Sequence, residues 1–392
     1  MALLIRLVAT AALRVRLLLA GGALLSIELV MQTAGWLGVI PGLNTKERLP
    51  WGRVYWTAEG FENSIRNRYG WHFPEFDLGK TNRIGIIGDS FVEAVEVPRT
   101  RNMAAILRQK LWSTRPTTET MAFGEHGCGP AQYLELLKYA HHYFGIRQAV
   151  IVVYLGNDIT DCAPKLGVHD SRGFIYYSLT NGVAVLGPDA SKVRDEYSNS
   201  FAAMHRSPWL FLPYLASSYC MSVQLVLSVE KSIANQREAR RALSLQPGPE
   251  AEMASLGLKA GPFALNPSPA VEEGFGIMRS LLEQATEFGA TKQIKLIIMT
   301  VPFFPPDFYK QKGAGWSARM GDYDFLGPER ALKEWALGRK ILFLPLGERM
   351  QSSMLTTEQI RELYLSKGCG HFSEKGHAFA AEAMKAMLFA DP

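Results

Sequence analysis

The sequence predicts an α/β protein: about five parallel strands in one open sheet, helices on both faces, and a long insertion between the third and fourth strands. Two observations predict it. Short β-branched runs alternate with longer segments of helical period, the pattern of successive βα units. Chemistry-bearing residues also stand directly after several of those runs, where a parallel sheet gathers its loops at one edge.

The first strand is read at 83–88, "RIGIIG", from Ile84, Ile86 and Ile87. Gly88-Asp89-Ser90 then turns the chain, and a helical pattern from about Asn102 gives a helix near 101–114. A weak strand near 119–123 and a helix near 130–144 follow, and "QAVIVVY" at 148–154 is the strongest strand of all. The alternation then stops until about residue 270. Within that gap, 173–187 reads as two strands around Asn181-Gly182, a strong hairpin signal. The uncharged segment 207–229 comes next, then a polar helix to about 242 and a Pro/Gly/Ala-rich loop at 245–269. Alternation resumes with helix 270–288, strand 294–300, helix 328–338, strand 341–345 and a last helix at 374–389. Residues 45–80, aromatic and irregular, read as an extended lead-in packed on the domain. The expected organisation is thus an N-terminal segment at 1–44, an α/β domain at 45–392, and an insertion at 163–270 within it.

Composition narrows the function. The chain has 392 residues, 47% of them hydrophobic, and a net charge of +5. That charge is modest, and no dense Lys/Arg stripe with interleaved aromatics occurs, so nucleic acid is not an expected partner. The four cysteines, Cys128, Cys162, Cys220 and Cys369, lack metal-ligand spacing, and there is no HExxH or CxxC pair. No metal and no organic cofactor is expected.

At the N-terminus, Arg6, Arg14 and Arg16 precede an apolar stretch, 17–40, whose one charge is Glu28. About 20 such residues cross a bilayer core, and the arginines favour a cytoplasmic N-terminus with the remainder exported. Glu28 opposes this, since a mid-membrane carboxylate costs about 2.5–3.5 kcal/mol on insertion scales. A cleaved signal peptide and a buried helix are the rival readings. The poor cleavage site in "VMQTAG" favours an uncleaved anchor, with the domain in the periplasm or otherwise outside the cytoplasm.

Four short stretches carry the chemistry. Ser90 follows the first strand, Gly127 the second in "FGEHGCGPAQ", and Asn157 the third in "YLGNDITD"; His371 lies in "GCGHFSEKGH" before the last helix. Acyl transfer needs a nucleophile, a base within hydrogen-bond reach and donors aimed at an oxyanion. Ser90 is a nucleophile at a helix start, assisted by the helix dipole, or else a turn residue and cap. The Ser90 and Gly127 N–H groups and the Asn157 amide could form an oxyanion hole, with His371 as base. Taken singly, Gly127 reads equally as a turn glycine, Asn157 as an Asx-turn or cap, and His371 as a loop histidine.

Together these blocks resemble the SGNH (GDSL-type) hydrolase superfamily. Gly88-Asp89-Ser90 matches its first block, Gly127 the oxyanion glycine of its second, Asn157 the asparagine of its G-x-N-D block, and His371 its last. Leu155 replaces the first glycine of the third block, and the match covers roughly 83–160 and 290–390. The resemblance implies a flavodoxin-like three-layer α/β/α sandwich. It also implies a serine esterase forming an acyl-Ser90 intermediate, with an acylated small molecule, glycan or lipid as substrate. The rival readings are an O-acyltransferase acting on an envelope polysaccharide and a non-catalytic accessory protein of the same fold. One feature departs: the family's aspartate two or three residues before the histidine is replaced by Cys369 and Gly368. Asp158, Glu374 or a backbone carbonyl could orient His371 instead. Cys128, Cys162 and Cys369 border the expected site, either as a disulfide pair or as buried thiols. If Ser90 and His371 meet, the segment 207–229 between them cannot cross a membrane once. It then reads as a buried or interfacial helix. The oligomeric state is not legible.

Overall fold

The computed structural model describes residues 2–37, 39, 53–56, 59, 62–161, 177–186, 207–209, 212, 220–227, 229–230, 233, 237, 261–303, 323–365 and 370–389. Its centre is a five-stranded parallel sheet of β3 (Asn82–Gly88), β4 (Thr118–Gly124), β5 (Gln148–Tyr154), β8 (Lys295–Val301) and β9 (Leu342–Pro345). The spatial order is β4-β3-β5-β8-β9, with every pairing parallel. Counted within the sheet this is 2-1-3-4-5, the flavodoxin-like order, whose switch point lies at the carboxyl ends of the first and third strands.

All seven residues of β4 are buried and five of seven in β3 and β5, as expected of strands covered on both faces. The covering helices are α3 (Met103–Trp112), α4 (Pro130–Phe144), α6 (Pro269–Thr291), α7 (Gly327–Gly338) and α10 (Glu374–Leu388). Helix α3 packs with α10, and α4 with α6; right-handed crossovers put these pairs on opposite faces. Side-chain caps mark several starts: Asn102 accepts from the Ala105 N–H at 2.9 Å, and Ser268 and Ser373 cap α6 and α10. Short helices α2 (Ser90–Glu93), α5 (Asp158–Asp161), α8 (Leu346–Ser352) and α9 (Thr357–Arg361) lie among the loops.

The lead-in differs from the expected extended segment. β1 (Arg53–Trp56) and β2 (Glu62–Ile65) pair antiparallel as a hairpin. Beyond it Trp71, Phe73 and Phe76 enter the main core, where Trp71 and Phe76 meet Phe123 at ring distances of 5.2 and 5.7 Å. These aromatic residues therefore serve packing.

In the insertion, β6 (Tyr177–Thr180) and β7 (Val183–Leu186) form the hairpin expected around Asn181-Gly182. It docks on α6, where the Ala184 N–H donates to Ser280 Oγ at 2.8 Å and Gln284 Nε2 donates to the Ala184 carbonyl at 3.0 Å. Residues 221–227 are helical. Most of the expected polar helix and the loop before residue 261 lie outside the described residues. The N-terminal helix α1 (Ala2–Trp36) stops short of the expected residue 40. Its Leu13–Ala34 stretch is, among the described residues, the one helical segment long and apolar enough to cross a membrane, and none of it is buried.

Candidate active site

Ser90 lies just beyond the carboxyl end of β3, at the switch point. The helix it starts is a single turn: α2 ends at Ala94, whose φ of +51° is left-handed, and the longer helix expected from Asn102 is a separate element. Dipole support for Ser90 is therefore that of one turn, less than a long helix would give. The cap of that turn is Asp89, whose carboxylate accepts the Phe91 N–H at 2.9 Å. Ser90 is thus spared the capping role. Its Oγ lies 2.8 Å from His371 Nε2, and the residue is buried.

His371 is held from its other side by residues far away in sequence. Glu59, in the connection between β1 and β2, receives both the ring Nδ1–H and the backbone N–H of His371 on one oxygen, each at 2.9 Å. A carboxylate can only accept, so Nδ1 keeps a proton, and in its neutral form the ring presents a lone pair at Nε2 to the serine. Gly370 makes room for this: its φ is +84°, and a Cβ there would stand 2.9 Å from Glu59 Oε2. A second carboxylate, Glu96, lies with Oε1 3.2 Å from the same Nδ1, its side chain fully buried. Neither Glu96 oxygen takes a hydrogen bond, so Glu96 acts on His371 through charge. The Phe91 ring lies 5.1 Å from the imidazole and shields it from the core side.

These groups tune one another. Burial pulls the His371 pKa down, but Glu96, Glu59 and Asp89 outweigh it and raise the value to about 9. Burial pushes Glu59 up, yet its hydrogen bonds to His371 and the imidazolium charge leave it below the usual range. Glu96 is raised to about 7 by burial, with His371 opposing.

The loop bearing Gly127 is fixed by a buried ion pair. Arg66 holds Glu93 at 2.9 Å, and the other Glu93 oxygen accepts the His126 N–H at 2.9 Å. Gly127 itself turns with φ +77°. After β5, the Asn157 amide donates from Nδ2 to Asp161 Oδ2 at 2.9 Å; the carboxylate cannot donate back, so the amide orientation is fixed. Its second amide hydrogen has no role in that bond, and its Oδ1 is buried without a partner. The two loops touch, because a Cβ on Gly129 would lie 3.5 Å from Asp161 Cβ. Phe91 and Tyr154 bring the first and third blocks together at a ring distance of 4.4 Å.

Two expected residues are corrected. Asp158 is buried and occupied: Tyr133 donates to both its oxygens at 3.0 Å and the Tyr154 N–H to one at 2.9 Å. Glu374 is half exposed at the start of α10 and pairs loosely with Arg101 at 3.9 Å. Neither orients His371, since Glu59 and Glu96 stand at its Nδ1. Sequence reasoning missed both. Glu59 carries no local signature, being 312 positions from its partner. Glu96 had one: "SFVEAVEV" sets two glutamates in an apolar run beside the nucleophile, a pattern that calls for buried partners. Cys128 is buried beside Gly127, whereas Cys162 and Cys369 lie outside the described residues, as does any pairing between them.

Solved structures similar to this one include several ester hydrolases, some described as lipolytic proteins of the G-D-S-L family. They include a member of the lipolytic G-D-S-L family from Veillonella parvula DSM 2008, 12% identical, TM-score 0.35, covering 79% of this chain and 98% of its own. A lipase/acylhydrolase from Enterococcus faecalis is 10% identical, with TM-score 0.38 and coverage of 80% and 98%. A catalytic mutant of an acetylxylan esterase from Geobacillus stearothermophilus is 13% identical, with TM-score 0.35 and coverage of 80% and 96%. No family model matches the chain, and no curated protein does. The strand order stands independently of this likeness.

Proposed function

We propose that this chain is a serine esterase of the SGNH type that hydrolyses an O-acyl ester, with acetyl groups on cell-envelope carbohydrate the favoured substrate. One observation carries the reading: Ser90 Oγ, His371 Nε2 and Glu59 form an unbroken relay of 2.8 and 2.9 Å contacts. Neutral His371 takes the Ser90 proton as Oγ attacks the ester carbonyl. The oxyanion is met by the N–H groups of Ser90 and Gly127 and by the second amide hydrogen of Asn157. His371 then passes its proton to the departing alcohol, leaving acyl-Ser90. Water, deprotonated by the same imidazole, attacks the acyl-enzyme; the acid leaves and Ser90 recovers its proton. Glu59 remains ionised throughout and stabilises the imidazolium.

Glu59 and Glu96 at Nδ1 support a catalytic role in a chain that has no Asp just before His371. α1 supports a membrane-anchored protein with its domain outside the cytoplasm, next to envelope polymers. The test is intact mass of the full-length protein after a fluorophosphonate probe, beside Ser90→Ala and His371→Ala. One adduct on the wild type and none on either variant is expected. A folded wild type that takes no adduct would overturn the proposal. A donor-dependent rise in acylated glycan with little hydrolysis would turn it into a transferase.

A further inference from the structure

Glu28 is the one carboxylate in the apolar stretch of α1, and it is fully engaged. Its oxygens accept the Met221 N–H at 2.7 Å, the Ser222 N–H at 3.1 Å, the Ser222 hydroxyl at 2.6 Å and Gln32 Nε2 at 2.7 Å. Met221 and Ser222 open the helical residues 221–227, so Glu28 closes off the first free N–H groups of that helix. Glu28 lies six residues before Ala34, where the membrane-crossing stretch ends. At 1.5 Å per residue that is about 9 Å inside it. If α1 spans the bilayer, Met221 is at the same depth.

The chain enters and leaves this region on one side. Ser90 precedes it and His371 follows it, yet the two side chains touch at 2.8 Å. A single crossing between them is therefore excluded. The helical residues 221–227 expose Val226 and Leu227, at 67% and 46%, and Val229 and Ile233 further along the chain are 50% and 45% exposed. Leu25 and Leu29 of α1 are exposed as well, at 76% and 68%, and apolar surface of this kind beside a membrane span is suited to hydrocarbon.

We propose that the helix beginning at Met221 is a re-entrant membrane element, latched to α1 by Glu28 and covered by lipid acyl chains on its Val226 face. This rests on reading α1 as a membrane span. It explains how a carboxylate is tolerated at that depth: its charge is met by the donors of a helix start carried in from outside.

The test places the photoreactive residue p-benzoylphenylalanine at Val226, at Leu25 on α1, or at Tyr143, a surface position of α4, in the full-length protein in native membranes. Illuminated samples are read by mass for phospholipid adducts borne on the acyl chain. Adducts are expected at Val226 and Leu25 and not at Tyr143. Adding Glu28→Leu should abolish the Val226 adduct and leave that at Leu25, whereas Glu28→Gln, which still accepts, should retain both. Fluorophosphonate labelling of Ser90 verifies folding in every variant. An adduct at Leu25 with none at Val226, or a Val226 link to a second copy of the chain, would overturn the proposal while sparing the anchor. No adduct at Leu25 would remove the anchor and the proposal together, and a Val226 adduct that survives Glu28→Leu would refute the latch.

Discussion

The serine half and the histidine half of the site are built in opposite ways. Ser90 is placed by its own neighbourhood: a strand end, the Asp89 cap and a one-turn helix, all within a few residues. His371 is placed from a distance, by a hairpin glutamate 312 positions upstream and by Glu96 beyond the nucleophile. The proposed nucleophile is thus a product of the sheet itself. The proposed base donates its Nδ1 and backbone N–H hydrogen bonds to the N-terminal hairpin.

That contrast can be broken most severely at Glu59. Glu59→Gln replaces an acceptor with a group that can donate, favouring the wrong imidazole tautomer, so kcat should fall about 10³–10⁴-fold with little change in thermal stability. Steady-state hydrolysis of p-nitrophenyl acetate checks this. A loss under about tenfold would mean that Glu96 orients the ring and that the hairpin is dispensable. Asn157→Ala tests the sheet-edge half. Loss of one oxyanion donor should lower kcat about 10²–10³-fold while KM moves little.

A third test uses protons. A base with its pKa raised to about 9 is charged at neutral pH, so kcat/KM should climb with pH through that value instead of levelling near the ordinary 6.5. Glu96→Gln removes a negative neighbour of the imidazolium. The rising limb should then shift to lower pH, making the variant several-fold faster than wild type at neutrality; an unmoved limb would show Glu96 already protonated there. The smallest effect is expected at Gly370→Ala, where a positive φ and the close Glu59 carboxylate should cost about 1–2 kcal/mol in denaturant unfolding.

What was legible in the sequence follows the same division. The runs around Ile84, Val150 and Ile297 encode strands locally, and the observed strands start and stop within a residue or so of their expected bounds. The last helix, with its Ser373 cap, was equally plain. Ser90 and His371 could be picked out because each follows or precedes a regular element. Glu59 could not: its segment reads as aromatic coil, and its partner is chosen by how a hairpin docks, a tertiary event with no periodicity. Asp158 misled for a related reason. Beside Asn157 it was near in sequence, but its oxygens were already committed to Tyr133 and Tyr154. Glu28 misled too, since a charge in an apolar helix reads as an objection until its partner, 193 positions on, is known.

The position of Glu59 sets a length scale. It stands 23 residues beyond Trp36 (59 − 36), where α1 ends. On the proposed reading of α1 as a membrane span, the relay stands no more than about 80 Å from the bilayer face, the reach of that many fully extended residues. The same stretch of chain also supplies part of the site. A fragment trimmed to begin at β3 would keep every strand of the five-stranded sheet, Ser90 and His371, and would have lost Glu59.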